Sequence, residues 1–279
     1  MVSMLLSGKI ASSETKYKNI LEEFFREIFD ISFLPSHGID HHRRVWQYAK
    51  DVLYQLDDHG FQIEESLTDK LIITCFLHDV GMSVDPGFRH GAEGRKICER
   101  FLSQNKLFSE EYSDVLHAIE HHDDKEYTII NQPGDLLAIL SAADDLDAFG
   151  FTGVYRYLEV YIARNTPLQE LGYLIIENIQ NRFQNFLRTY GFASGLVEKH
   201  TKRYSIVCSF FNSYNQHVPF YDFDSQLAIG YCGIAAIVMQ KLIGDQSDRN
   251  IMSQFINYPD PVIQWFFAEL KNEFEAKIS

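Results

Sequence analysis

The sequence predicts an all-α protein, and three observations lead to this prediction. Apolar residues recur at helical spacing in almost every segment, and the alternation typical of strands is nearly absent. Proline and glycine, which interrupt helices, fall mostly between the periodic segments. A chain of 279 residues can bury a sizeable core, either as one large domain or as a domain with an appendage.

The helices can be placed in order along the chain. The first has an apolar face made of Tyr17, Leu21, Phe24, Phe25 and Ile28. A second is expected from about residue 39 to 56. A third is predicted to begin at a capping box, Ser66 to Asp69, and to end at Gly81 as its C-cap. Further helices are expected at about 90–104, 108–122, 133–148, 153–164, 167–190, 194–215, 223–243 and 260–277.

A weak domain boundary falls near residues 216–224, where the helical pattern is interrupted. We therefore expect a main domain at 14–215 and a C-terminal helical extension at 216–279. The sequence leaves open whether the extension packs into the same domain. It also leaves the oligomeric state open, with a homo-oligomer as one option.

The net charge of −14 limits the classes of partner. An acidic surface repels phosphate backbones, so we expect no binding to extended nucleic acid or to anionic membranes. A small phosphorylated substrate remains compatible with this charge, because a bound divalent cation can dominate the local field.

The cysteines and the N-terminus indicate a soluble, cytoplasmic protein. Cys75, Cys98, Cys208 and Cys232 form no CxxC pair, and three of them lie in apolar, helix-like stretches, which favours reduced thiols over disulfides or a zinc cluster. The apolar run at the N-terminus is too short for a signal peptide. No apolar run approaches the roughly 20 residues that span a bilayer.

Three groups of polar residues lie at the ends of predicted helices. In the first, His37 and His41 are four residues apart and so would share a helix face, with Arg44 one turn beyond. The simpler interpretation is a solvated helix start with an Asp40–Arg44 ion pair.

The second group is the doublet His78-Asp79, which follows a strongly apolar helical segment. Ionisable groups in such surroundings need partners, and imidazole with carboxylate suits a divalent metal. The alternative is a histidine that interacts with the helix dipole.

The third group is a run of aspartates in which Asp144 and Asp147 share one face of a helix. Three aspartates within four residues repel each other unless a cation offsets their charge.

The order of these groups resembles the HD-domain superfamily of metal-dependent phosphohydrolases. The family's HxxxHxxRV stretch is matched by His37, His41, Arg44 and Val45, its doublet by His78-Asp79, and its ADxLDAxG motif by residues 143–150. Two subsidiary segments are matched by HGAEGRKI, which starts at His90, and by AIEHH at 118–122. The resemblance covers roughly residues 20–160 and continues weakly to about 215. It implies an HD-domain-like helical bundle with additional C-terminal helices.

The resemblance also implies a set of metal ligands. The residues that match the common metal site are His41, His78, Asp79 and Asp144. For members with a second metal or with a further substrate contact, the matching residues are His90 and either His121 or His122. Helical phase favours His122, because it extends the inward stripe of Val115 and Ile119, whereas His121 shares a face with His117. A capping or solvated role for His90 is an equal alternative.

The implied activity is hydrolysis of a phosphate ester of a nucleotide or of another small phosphorylated metabolite. The attacking water would be activated on one or two divalent ions (Mn, Mg, Fe, Co, Ni or Zn). Asp79 would hold the water or bridge two ions, and Asp147 would orient a ligand or accept a proton. The lysine that some family members place soon after the doublet is absent here, so a basic residue that contacts the substrate phosphate must come from elsewhere in the chain. The candidates are Arg44, Lys202 and Arg203, with Arg89 and Lys125 as further options.

Other functions remain open at this point. One is a non-catalytic HD-type module that binds a nucleotide and signals. Among enzymes, the alternatives are an HD-type hydrolase or lyase that acts on a non-phosphate substrate and an HD-type oxygenase with a di-iron site. The glycine-rich motif of the cyclic-di-nucleotide branch is missing after His122, which counts against that branch.

Overall fold

Every regular element in the described part of the chain is helical, which confirms the predicted all-α class. The computed structural model describes residues 4–28, 35–85, 87, 89–124, 127, 132–225, 227–244 and 248–278. Its α-helices are α1 (Met4–Ile28), α2 (Ile39–Asp58), α3 (Glu65–Leu77), α4 (His90–Gln104), α5 (Ser113–His121), α6 (Leu136–Asp147), α7 (Gly150–Ala163), α8 (Leu168–Tyr190), α9 (Ser194–His217), α10 (Gly230–Gly244), α11 (Asp248–Phe255) and α12 (Pro261–Ile278). Short 3-10 turns occupy Pro35–His37, Val80–Ser83 and Val218–Phe220.

The chain divides into two compact units, which are described separately. The first comprises the described residues within 1–33, 37–146 and 185–197. The second comprises those within 34–36, 147–184 and 198–279. The predicted domain boundary at 215/216 stays a prediction; these units group the chain differently, since each draws on more than one stretch of sequence.

The first unit is organised around α3. The second half of this helix is buried on all sides, since every residue from Leu71 to Leu77 is fully buried. It packs against α1, α2 and α5, while α4 packs against α5 and the turn at Val80–Ser83. Burial of this kind is the dominant favourable term in folding. It also means that any polar group that follows α3 directly is placed in the interior.

The second unit has α7, α10 and α12 packed against each other. Several buried polar side chains within it are paired with each other. Lys241 and Glu159 form a fully buried ion pair with 3.2 Å between Nζ and Oε1, and Tyr155 accepts a further hydrogen bond from Lys241. The Thr152 hydroxyl donates to Glu273 at 2.9 Å. These pairings offset the cost of burying polar groups.

Two predictions about α3 were wrong. The helix begins after Glu64, which has an extended backbone and caps no amide with its side chain, so Ser66 to Asp69 is not a capping box. The helix ends at Leu77 rather than at Gly81. Gly81 lies in the following 3-10 turn, against the backbone of His90, and that close approach rather than a left-handed C-cap is the reason for a glycine.

Other helix boundaries differ less. Residues 108–112 precede α5 instead of belonging to it, and α10 begins at Gly230, whose φ of +60° marks a break that the apolar pattern of 223–243 does not reveal. Helix α11 was missed, because its eight residues are mostly polar. The four cysteines are free, as predicted, and no described helix is long and apolar enough to cross a membrane.

Candidate metal centre

Three segments of the first unit bring four polar residues together. His41 lies in the first turn of α2, His78 and Asp79 follow α3 directly, and Asp144 lies near the end of α6. All four are at least nine-tenths buried. Their positions follow from the apolar helix α3, which delivers the doublet into the interior, and from the apolar first turns of α6.

The donor atoms of these residues converge. His41 Nε2 lies 3.2 Å from His78 Nε2 and 3.3 Å from Asp79 Oδ2. Asp144 Oδ1 lies 3.7 Å from His41 Nε2 and 4.0 Å from His78 Nε2. One donor atom from each residue therefore lies within 4.8 Å of every other. Ligands bound at about 2.0–2.2 Å to one ion are separated by roughly 3–4 Å, so this spacing fits a single divalent ion.

A second group shares Asp79 with the first. His122 Nε2 lies 3.0 Å from Asp79 Oδ1, and His90 Nε2 lies 3.8 Å from the same oxygen. Oδ2 faces the first group, so the two oxygens of one carboxylate face two separate sets of imidazoles. Asp79 is thus placed to bridge two ions.

Backbone carbonyls fix the orientation of three of these imidazoles. The Nδ1–H groups of His78, His90 and His122 donate to carbonyl oxygens three residues earlier in the chain, at 3.0, 2.7 and 2.7 Å. With the proton assigned to Nδ1, the lone pair on Nε2 points into the cluster. This is the outer hydrogen bond that metal-binding histidines usually make.

The electrostatics favour the forms that bind metals. Burial lowers the pKa of His78, so its imidazole is neutral. Burial alone would raise the pKa of Asp79. When the facing imidazoles carry protons on Nε2, the attraction of His78 and hydrogen bonds from His122, His41 and His78 hold that pKa well below its usual range. A bound ion would take the place of those protons. A neutral imidazole and an ionised carboxylate are the states that metal binding requires. The two groups therefore fit divalent ions in position, donor chemistry and protonation.

Several residues of the predicted site lie outside these two groups. His37 is in the 3-10 turn before α2, not on the helix, although its ring lies 5.3 Å from that of His41. Asp40 pairs with Arg43 at 2.9 Å, a pair that the sequence did not predict, and the Asp40–Arg44 pair stays a prediction. Arg44 is almost completely buried.

The geometry separates the two adjacent histidines of α5. His122 faces Asp79, whereas the ring of His121 lies 4.5 Å from that of His117, as the helical phase predicts. Asp147 is fully buried and pairs with Arg156 at 2.9 Å. Its predicted part in catalysis stays a prediction.

The predicted phosphate contacts of the second unit have structural partners. Lys202 is exposed on α9 and pairs with Glu198 at 2.9 Å. Arg203 is buried, donates to the carbonyl of Phe149 and lies 3.7 Å from Glu273. Phosphate binding by Arg44, Lys202 or Arg203 remains a prediction, and Lys125 lies outside the described residues.

Sequence reasoning missed His42. This residue is fully buried, its ring lies 5.0 Å from that of His78, and its Nδ1 lies 3.2 Å from the carbonyl oxygen of Cys75. The same carbonyl accepts from His78. Burial lowers the pKa of His42 well below its usual value. The double histidine at 41–42 was the available signal.

A cavity of about 290 Å³ was also missed. Its described lining belongs to the first unit and comes from the end of α5 and the loop beyond it, from α6, and from the last turn of α8. Ser141, Asn185, Arg188 and Thr189 contribute polar groups to it. No single motif connects these segments, because they are distant in the sequence.

Comparison with known families agrees with this geometry. Residues 38–148 match the family model of the HD domain, and all six residues of the two groups lie within that segment. This segment is therefore identified as an HD domain, which confirms the resemblance over residues 38–148. Members of this family are for the most part metal-dependent hydrolases. Neither the comparison with curated proteins nor that with solved structures gave a match.

Proposed function

We propose that this protein is a metal-dependent phosphohydrolase that cleaves a phosphate ester of a small metabolite. The observation that carries the proposal is the position of Asp79, whose oxygens face two groups of histidines. A shared carboxylate is suited to holding two divalent ions close together, as two-metal phosphoesterases do. The match of residues 38–148 to the HD domain supports the hydrolase class.

A bound divalent ion supplies a Lewis acid that increases the acidity of water and offsets negative charge on the phosphoryl group. The four residues of the first group would hold one ion, and Asp79 would share its other oxygen with His90 and His122. The carbonyl hydrogen bonds keep the imidazoles oriented, so little reorganisation is needed. In the net reaction, water adds to phosphorus, the ester P–O bond breaks, and the alcohol leaves with a proton.

The donor set bears on the choice of metal. Imidazole nitrogens favour transition ions such as Mn, Fe, Co, Ni or Zn, whereas Mg prefers oxygen ligands and bound water. The strongly acidic chain favours a small phosphorylated substrate over an extended nucleic acid.

The test combines metal analysis with activity. Purified protein loaded with each metal in turn is assayed on p-nitrophenyl phosphate and on a panel of phosphorylated metabolites. We expect about two ions per chain and hydrolysis with at least one metal. Asp79→Asn and His78→Ala should each lower turnover at least about a hundredfold, since each removes a candidate ligand. Circular dichroism should show unchanged helicity.

Matched controls are available on two other helices of the first unit. Asp58 on α2 and His117 on α5 are exposed, so Asp58→Asn and His117→Ala should keep wild-type turnover. Wild-type turnover by Asp79→Asn would sink the proposal. A wild-type protein that hydrolyses no phosphoester, but binds nucleotides as well as Asp79→Asn does, would favour the signalling module instead.

The position of Asp79 between the two groups of histidines is also suited to a di-iron oxygenase, because the same donors bind iron. A phosphohydrolase consumes water and a phosphate ester, whereas an oxygenase consumes dioxygen. Oxygen uptake by the iron-loaded protein, without release of phosphate from any ester, would identify the oxygenase.

A further inference from the structure

We propose that the cavity in the first unit selects a polyhydroxylated substrate with a second anionic group, and that Arg188 binds this group. The inference rests on the proposed function, because it assigns the scissile phosphate to the metal centre. It adds the class of substrate, a sugar bisphosphate or a phosphosugar acid, and the residue that recognises it.

Helix α6 carries both a candidate ligand of the metal centre and a residue of the cavity wall. Ser141 lines the cavity one turn before Asp144, about 4.5 Å along the helix axis, and residues three apart share a face of a helix. His121, at the end of α5, also lines the cavity and immediately precedes His122 in the chain. In the proposed complex, a substrate whose phosphate lies at the metal centre therefore places its organic part in the cavity.

A hydrogen bond also joins a residue of the cavity wall to α6. Tyr127 lines the cavity, and its hydroxyl donates to the buried carboxylate of Asp145 at 2.7 Å. Asp145 is the neighbour of Asp144. This hydrogen bond fixes Tyr127 to the helix that carries a candidate ligand.

The size of the cavity and its chemistry limit the ligand. Ligand pockets usually measure roughly 300–1,000 Å³ and are mostly apolar, so 290 Å³ suits one small metabolite. Among the described residues of the lining, the apolar ones are Pro133, Leu137 and Ala138. Hydroxyl and amide groups, which both donate and accept, come from Ser141, Thr189, Tyr127, Asn185 and Gln132. Tyr127 supplies the one phenyl ring among the described lining residues, so the lining suits a sugar better than a nucleobase.

Arg188 provides the positive charge for the second anionic group of the substrate. Its Nη2 donates to the neutral amide oxygen of Asn185 at 2.7 Å, and it forms no ion pair within 4 Å among the residues that the structure describes. The guanidinium therefore keeps its charge and several donors for a phosphate or carboxylate, which it can bind with two parallel hydrogen bonds. Asp124, the acid of the lining, disfavours an anion elsewhere in the cavity.

Binding to metal-free protein tests the inference independently of hydrolysis. In the presence of EDTA, calorimetry measures the affinity for fructose bisphosphate, ribulose bisphosphate and free fructose. We expect wild-type protein to bind at least one bisphosphate more tightly than free fructose. Arg188→Gln should weaken that binding about tenfold or more, because it removes charged hydrogen bonds. The affinity of Arg188→Lys for the bisphosphate should lie between those of wild type and Arg188→Gln.

Arg100→Gln is the matched control, since Arg100 is exposed on α4 and lies outside the cavity lining. It should bind like wild type. Bisphosphate binding that is absent from wild type, or equal in wild type and Arg188→Gln, would overturn the inference. So would tighter binding of adenosine than of any bisphosphate.

Steady-state kinetics separate this inference from the proposed function. With metal bound, Arg188→Gln should raise KM for a sugar bisphosphate and leave KM for p-nitrophenyl phosphate unchanged, because the latter has no second anionic group. Absence of hydrolysis with every metal, together with binding that depends on Arg188, would refute the phosphohydrolase but keep the anion site.

Discussion

Asp79 differs from the other acidic residue of the centre, Asp144, in its backbone. Asp144 lies inside α6, whereas Asp79 follows α3 with φ −100° and ψ 5° and so stands outside the regular helix. Because Asp79 lies outside the helix, its carboxylate is not held on one helix face, and it faces both groups of imidazoles. One residue thereby determines whether the site is suited to one ion or two.

Glu22 and Arg43 form an ion pair whose contribution to the free energy of unfolding can be predicted. Arg43 Nε and Nη2 donate to the two oxygens of Glu22 at 3.0 and 2.7 Å. The Arg43 hydrogen bonds lower the pKa of Glu22 against the opposing effect of burial. Since this pKa is lower in the folded chain, the stabilisation is complete above the unfolded value of about 4.3 and is lost as pH falls through the folded value.

We expect Glu22→Gln to lower the free energy of unfolding by roughly 0.5–1.5 kcal/mol at pH 7, as for a partly exposed charged pair. Urea unfolding from pH 7 to pH 3 should show the difference from wild type shrinking toward zero. Glu23→Gln is the control, because Glu23 is exposed on the same helix. A difference that persists unchanged at pH 3 would contradict the assigned ion pair.

At the scale of elements, the contact between the turn at Val80–Ser83 and α4 positions the second group. The turn packs against α4, whose first residue is His90. A Cβ added at Gly81 would meet the carbonyl of His90 and the amide of Gly94, both of which are backbone atoms. Backbone cannot move aside as a side chain can, so a glycine is needed for this approach.

Gly81→Ala should therefore destabilise the protein by roughly 1–3 kcal/mol, the usual cost of overpacking, and displace His90. Urea unfolding measures the first effect, and the metal content per chain measures the second. Gly8→Ala is the comparison: nothing lies within 4 Å of its added Cβ, and replacing a helical glycine typically stabilises by about 0.5–1 kcal/mol. Equal stabilities for the two variants would show that the close contact has no cost.

At the scale of the whole molecule, the buried metal centre should couple metal binding to stability. The centre joins segments from three parts of the sequence, so it exists only in the folded chain. An ion that binds the folded state alone stabilises it, by about 2.7 kcal/mol at a concentration one hundred times Kd.

Removal of metal with EDTA should consequently lower Tm by about 5 °C or more, and readdition should restore it. Differential scanning calorimetry with and without added Mn or Zn measures the shift. Asp79→Asn should show little or no shift, whereas Asp58→Asn should behave like wild type. A metal-dependent increase in Tm that survives in Asp79→Asn would assign the bound ion to another part of the protein.

The sequence by itself determined the helical class and the composition of the first metal group. Helical periodicity reports local burial, and the motif residues His41, His78, Asp79 and Asp144 stand at recognisable spacings. Helical phase also distinguished His122 from His121. These features are local, so the order of residues along the chain is sufficient to reveal them.

Only the tertiary structure decided that Asp79 faces both groups, that His42 shares a carbonyl with His78, and that a cavity with Arg188 in its wall exists. Each of these depends on segments that are far apart in the chain. Their meeting is set by the packing of apolar helices around α3. Periodicity shows which face of a helix is buried, but it does not show which other helix will cover that face.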